Sequence, residues 1–161
     1  MKNIVISKLG INQTQDFFNL FKKIAKDDFA RWTSESKKAW FDDQYNINFW
    51  NKITQEGLPI FVAILNDQMI GYVAIEDINF GVAYLGWVGV MKEYQFQGIG
   101  SRLMTEVEKW CRKNNIHKIE LETQEPELRK FYEKHNYILE GIRKNSWQNL
   151  DNYMFGKVLN S

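Results

Sequence analysis

The amino-acid sequence predicts an α/β fold: a mixed, mostly antiparallel central sheet of about seven strands with about four helices, in the order β-α-α-β-β-β-α-β-α-β-β. Three observations carry that reading. Short runs rich in β-branched and aromatic residues, bounded by Asn, Asp or Gly, recur along the chain. Longer stretches with apolar residues at helical period separate some of them. Turn residues join others directly, so parallel and antiparallel pairing must coexist. Two prolines in 161 residues, with no repeat, low-complexity tract or Gly/Ser-rich linker, give no sign of a boundary, and 1–161 reads as a single domain.

The elements follow in order. Ile4 to Leu9 is a short strand. Asn12 or Thr14 caps a helix running to about Ala30, with Phe17, Leu20, Phe21 and Ile24 on one face. Ser34 or Ser36 caps a second helix that carries Trp40, Phe41 and Tyr45 and reaches Ile53. Pro59 to Leu65 and Met69 to Ile75 form a hairpin around Asn66-Asp67. Val82 to Val90 is a third long strand, whose Gly86 and Gly89 suggest a bulge or a close backbone approach. Gly98 to about Asn115 is an amphipathic helix, with Ile99, Leu103, Val107 and Trp110 inward. His117 to Thr123 is a strand, Pro126 opens a helix through about Lys134, and Tyr137–Ile142 and Tyr153–Leu159 close the chain as strands.

Bulk properties narrow the function classes. A net charge of +1 provides no field for nucleic acid or an anionic membrane. No apolar run is long enough to span a bilayer, and MKNIVISKLG lacks the features of a signal peptide. The lone Cys111 precludes an internal disulfide and suits a reducing compartment, so a cytoplasmic protein is expected. His117, His135 and Cys111 are too scattered to predict a metal site.

The segment with the clearest chemistry is QFQGIG, Gln95 to Gly100, between the third long strand and its helix. Backbone N–H groups from Phe96 to Ser101 have no helical partners there, and the helix dipole adds partial positive charge. Glycine at 98 and 100 lets an anion approach the backbone. No Lys follows as a nucleoside-triphosphate loop requires, and position 103, where a dinucleotide fingerprint needs glycine, is Leu. On spacing alone the loop is an anion site or a plain glycine turn.

Its flanks carry a resemblance. Val88-Gly89-Val90, then Gln95, Gly98 and Gly100 opening a helix, resemble motif A of the GCN5-related N-acetyltransferases. Leu128-Arg129-Lys130-Phe131-Tyr132-Glu133-Lys134, followed by Tyr137 and Gly141, is similar to that family's motif B. Both motifs stand in the family's order, and the element order matches its splayed sheet. The resemblance implies acetyl-CoA as acyl donor. Its pyrophosphate would lie on the amides of Phe96, Gln97, Gly98, Ile99, Gly100 and Ser101, with Gln95 at the motif's first fixed position. Its pantetheine arm would lie along Val88, Gly89 and Val90, where a bulge at Gly89 would free backbone groups. Tyr132 matches the tyrosine that supplies a proton to, or holds, the departing thiolate. Some relatives place a base where this chain has Tyr84, which cannot serve at neutral pH. The ribosomal-protein alanine acetyltransferase branch places one at the position of Glu120, and a water chain is the other route. Motif B's usual Asn is Glu125 here, so that cofactor contact is lost or replaced.

The resemblance places the acceptor between the first two helices and the last hairpin. Trp32, Trp147 and Tyr84 are the acceptor-contact candidates, Trp147 because it stands in a turn where packing explains a Trp poorly. The expected activity is acetyl transfer to a primary amine by direct attack in a ternary complex, on a small-molecule amine. A protein N-terminal or lysine amine, or a non-catalytic acetyl-CoA-binding module, are the alternatives. A homodimer stays open.

Overall fold

A computed structural model describes residues 3–29 and 31–159. Its seven strands, β1 (Val5–Lys8), β2 (Ile60–Leu65), β3 (Gln68–Asn79), β4 (Val82–Val90), β5 (Lys118–Thr123), β6 (Ile138–Arg143) and β7 (Asn152–Val158), form one sheet in the order β1-β2-β3-β4-β5-β7-β6. Every pair is antiparallel except β4 with β5, which a helix joins as a parallel crossover requires.

Among the described residues five α-helices flank the sheet: α1 (Thr14–Asp28), α2 (Ser34–Lys38), α3 (Ile47–Gln55), α4 (Ile99–Lys113) and α5 (Arg129–Lys134). The first expected helix ends at Asp28; Ala30 lies outside the described residues. The second expected helix is broken in two. From α2 the chain passes through a π-helical turn over Ala39–Gln44, and Asn46 then caps α3 by accepting from the N–H groups of Asn48 and Phe49. The break turns Trp40, Phe41 and Tyr45 toward the sheet instead of spreading them round one cylinder.

The core on this face is aromatic. Phe17 and Phe21 of α1 meet Trp50 of α3 edge-on at 4.8 and 4.9 Å, and Tyr72 of β3 lies 5.3 Å from Phe17. Trp87 of β4 sits among Phe21, Phe41 and Tyr45 at 4.9, 6.0 and 4.8 Å. On the other face α4 lies across β1 to β4 and buries Ile99, Leu103, Met104, Val107 and Cys111. Gly71 of β3 lies close to β4, where a Cβ would stand 3.0 Å from the Gly89 carbonyl oxygen and 3.2 Å from Val90.

Two features of the sheet position the site. β4 pairs with β5 only over Val82–Leu85, so Gly86 to Val90 run on with no β5 residue beside them among the described residues. The second feature is a paired irregularity between β3 and β4. Ala74 opposes Trp87 and Ile75 opposes Leu85, leaving Gly86 as an extra residue; Asp77 then opposes Tyr84, leaving Glu76 as an extra residue on the other strand. Gly89, where a bulge was expected, pairs regularly with Tyr72. Its missing Cβ serves packing instead: a methyl there would lie 2.9 Å from Ile24 and 3.0 Å from the Tyr72 ring. The bulge therefore falls at the glycine where the strands begin to part.

Candidate active site

The site starts from the open edge of β4. The Met91 N–H bonds the Ile70 carbonyl of β3 at 2.9 Å, and strand backbone groups alternate in direction, so those of Val88 and Val90 point away from β3. The Val90 carbonyl accepts from Gln95 Nε2 at 3.0 Å, which ties the loop to the strand end. The rest of that edge is available to a ligand carrying amide groups.

The edge leads into the N-terminus of α4. Gly98 is the N-cap, left-handed at φ 79°, and no side chain caps the helix. The first helical bond runs from Arg102 N to the Gly98 carbonyl at 3.1 Å, so the N–H groups of Gly98, Ile99, Gly100 and Ser101 have no helical partner. Phe96 is also left-handed, at φ 59°, and its side chain is fully exposed. Strain at a non-glycine residue beside uncapped amides is typical of a ligand loop. Gly100 lets α5 approach: a Cβ would lie 3.3 Å from Phe131. His135 Nε2 pairs with Ser101 Oγ at 2.9 Å, and burial lowers the His135 pKa. His135 thus fastens α5 to the glycine loop.

Tyr132, one residue after Phe131, is buried against Phe155 and Tyr137 at 5.4 and 6.1 Å. Burial pushes its phenol above the ordinary range, so it keeps its proton at neutral pH. Glu120 lies on β5 beside Tyr84 and Gly156 and is ion-paired with Lys118 at 2.8 Å. Lys118 also reaches Glu140 at 2.9 Å. Among the described residues no hydrogen bond joins Glu120 to Tyr132, and Glu120 Oε1 instead accepts from Lys118. Glu125, at the usual Asn position, faces Arg31 at 3.7 Å while its Oε1 is buried without a hydrogen-bond partner.

The acceptor side is bridged. Ser36 Oγ donates to Gln148 Oε1 at 2.6 Å, and the Trp40 and Trp147 rings lie 5.5 Å apart. Trp32 is buried, where a contact surface was expected, and donates from Nε1 to Gln124 Oε1 at 2.8 Å. Gln124 Nε2 in turn donates to the Trp147 carbonyl at 2.7 Å. Trp147 itself is 44% exposed. A cleft of about 240 Å³ beside Gln124 is lined by Arg31, Asn149, Leu150, Asp151 and Tyr153. Tyr84 is half-buried, and its phenol is pushed up by burial and then by the charges of Glu122 and Glu76.

One residue that sequence reasoning missed stands in this space. Glu76, the extra residue of β3, puts its carboxyl where a Gly86 side chain would be, so that a Cβ there would collide with it. Its Oε1 and the Trp87 Nε1 are buried and lack hydrogen-bond partners. Burial pushes the Glu76 pKa up to about 7, partly offset by the nearby Trp87 indole and Tyr45 hydroxyl, with Asp77 adding to the rise. The available signal is a glycine two positions after Tyr84, which marks a close approach without saying by what.

A model of the acetyltransferase (GNAT) family matches residues 19–137, from the middle of α1 through the glycine loop and α5. The chain belongs to that family. That family's acyl donor is acetyl-CoA, and the open edge and uncapped helix of this chain fit such a group: backbone partners for the amides of an arm and free N–H groups for a diphosphate. A curated relative, streptothricin acetyltransferase A of Bacillus subtilis (strain 168), is 27% identical over 107 residues, which is 65% of this chain and 60% of the relative. This chain therefore spans about 60% of that relative's length. Among solved structures, the PaiA N-acetyltransferase of Thermoplasma acidophilum in complex with coenzyme A superposes with a TM-score of 0.80 at 21% identity, over 97% of this chain and 99% of that one. The ribosomal-protein-S18-alanine N-acetyltransferase of Escherichia coli gives 0.75 at 17%, over 99% and 96%. At such identities these structures speak for the fold. No helix among the described residues is long and apolar enough to cross a membrane.

Proposed function

We propose that this chain is an acetyl-CoA-dependent N-acetyltransferase that acts on the primary amine of a small molecule by direct attack in a ternary complex. The observation that carries the reading is the unpaired edge of β4 running into the uncapped, glycine-lipped start of α4. The donor bound there supplies an activated acyl thioester, with Val88 and Val90 along its arm and Phe96 to Ser101 around its diphosphate. Tyr132, kept protonated by burial, holds or protonates the departing sulfur. Glu120 is engaged by Lys118 in an ion pair, so its carboxylate is already partnered.

What favours a small acceptor is the bridge from α2 to the β6–β7 hairpin. A polypeptide needs an open trough, whereas Ser36–Gln148 and Trp40–Trp147 lie across this face. The relatives' names include both streptothricin and ribosomal protein S18, so the bridge, not the names, supports this choice.

The test is thiol release from acetyl-CoA with polyamines, amino sugars, amino acids and a peptide N-terminus. Turnover of a small amine is expected. Turnover of the peptide alone points to a protein acetyltransferase. Coenzyme A binding without thiol release from any amine leaves a binding module.

A further inference from the structure

Among the described residues no Lys, Arg or His pairs with the Glu76 carboxylate. Its neighbours are Tyr45 from the end of the π turn, Asp77 from its own strand, and Tyr84 and Trp87 from β4. None of these is a cation. The Trp87 indole N–H and the Tyr45 hydroxyl beside the carboxyl offset its burial only in part, so a carboxylate here has neutral donors and no countercharge.

The surroundings say what would arrive. Tyr45 and Trp87 present rings 4.8 Å apart in an edge arrangement, and Trp40 stacks on Tyr45 at 5.2 Å. Aromatic side chains beside one carboxylate make a poorly hydrated wall against which a cation that has shed part of its water gains from the negative charge. The location fits as well. Glu76 projects over Gly86, and Gly86 is the first residue of β4 beyond the pairing with β5. The carboxyl thus stands at the head of the open edge, where an acceptor nitrogen must approach the acyl group.

We propose that Glu76 binds the acceptor amine as its ammonium and removes its proton, so that the site selects acceptors whose reacting nitrogen is a cationic primary amine. This rests on the acetyltransferase reading above. In the step, an N–H bond of the ammonium breaks, an O–H bond forms on Glu76, and the nitrogen keeps the electron pair for the acyl carbon. The proton passes to solvent before the next turnover. A carboxyl titrating near neutral pH suits this exchange, since it takes the proton readily and returns it readily. The paired bulge is the device that makes it: the extra residue on β3 delivers the carboxyl, and the extra glycine on β4 leaves it space.

Two measurements test it. With an amine that turns over, kcat/KM of the wild type rises with pH through about 7. Glu76→Gln should lose about 100-fold or more and flatten that limb, while coenzyme A affinity by calorimetry stays unchanged. Gly86→Ala, whose methyl would meet the flexible end of Glu76 first, should displace the carboxyl and reproduce the loss. A wild-type limb surviving in Glu76→Gln, or one abolished only by Glu120→Gln, overturns the proposal. The second measurement needs no turnover: carbon-13 titration of the Glu76 carboxyl with butylamine or with butanol. Butylamine should lower its titration midpoint and butanol should not; equal midpoints overturn the proposal. If no amine turns over but butylamine still shifts the midpoint, the acetyl-transfer reading fails and the cation site stands.

Discussion

Gly98, like Phe96 two residues before it, occupies a left-handed backbone conformation that an L-residue resists. At φ 79°, with no atom within 4 Å of where a Cβ would stand, Gly98→Ala meets strain and no clash. Stability should fall by about 1–2 kcal/mol, measured by denaturant unfolding, and Gly98→Asn should recover much of it because Asn tolerates this region. Tyr132 gives the complementary case. Its ring packs on Phe155 and Tyr137, so Tyr132→Phe keeps the packing and removes only the hydroxyl. The melting temperature should barely move while kcat falls by about 100-fold in thiol release, the usual scale for a lost proton donor. An unchanged kcat would reduce Tyr132 to a packing residue.

Elements decide access to the acceptor. The helix expected over 34–53 breaks at a π turn and restarts at Asn46, and the break brings Trp40 onto Trp147. Trp147→Ala removes the half of that contact carried by the β6–β7 hairpin. The KM for the amine should rise by about tenfold, roughly 1.4 kcal/mol of lost contact, with coenzyme A affinity unaffected. A fall in coenzyme A affinity of the same size would show that the hairpin supports the donor side instead. The strand–loop–helix unit, by contrast, is legible in the sequence. Its determinants are local: Gln95 reaches back to Val90, and Gly98 starts α4 within a few residues. The bulge is not. Glycine alone points to Gly89 as readily as to Gly86, and the register across β3 and β4 selects Gly86, since only there does a second strand supply an extra residue.

At the scale of the whole molecule, burial of the Glu76 carboxyl ties stability to pH. Its folded pKa is raised from an ordinary 4.5 to about 7, so the folded chain holds this proton more tightly than the unfolded chain. The stability this contributes is full below the unfolded pKa, declines as pH rises between the two values, and is gone above the folded one. The change amounts to at most about 3 kcal/mol. Glu76→Gln has no such group, so the variant should gain on the wild type in melting temperature from about pH 5 to 8. A constant difference across that range would mean that the carboxyl titrates normally.

Sequence by itself determined the order of the strands, the glycine loop and the family. Each is written in periodicity, caps and motifs a few residues long, where neighbours in the chain are neighbours in space. Tertiary structure alone decided the surroundings of the carboxylates proposed for the acceptor side. Glu76 in sequence is an acid near a strand end, indistinguishable from a solvated one. Its burial comes from Tyr45, Gly86 and Trp87, which reach it from the π turn and β4. Glu120, where the resemblance places a base, is held by Lys118. A carboxylate's basicity depends on what surrounds it, and those surroundings exist only after the sheet has set its register.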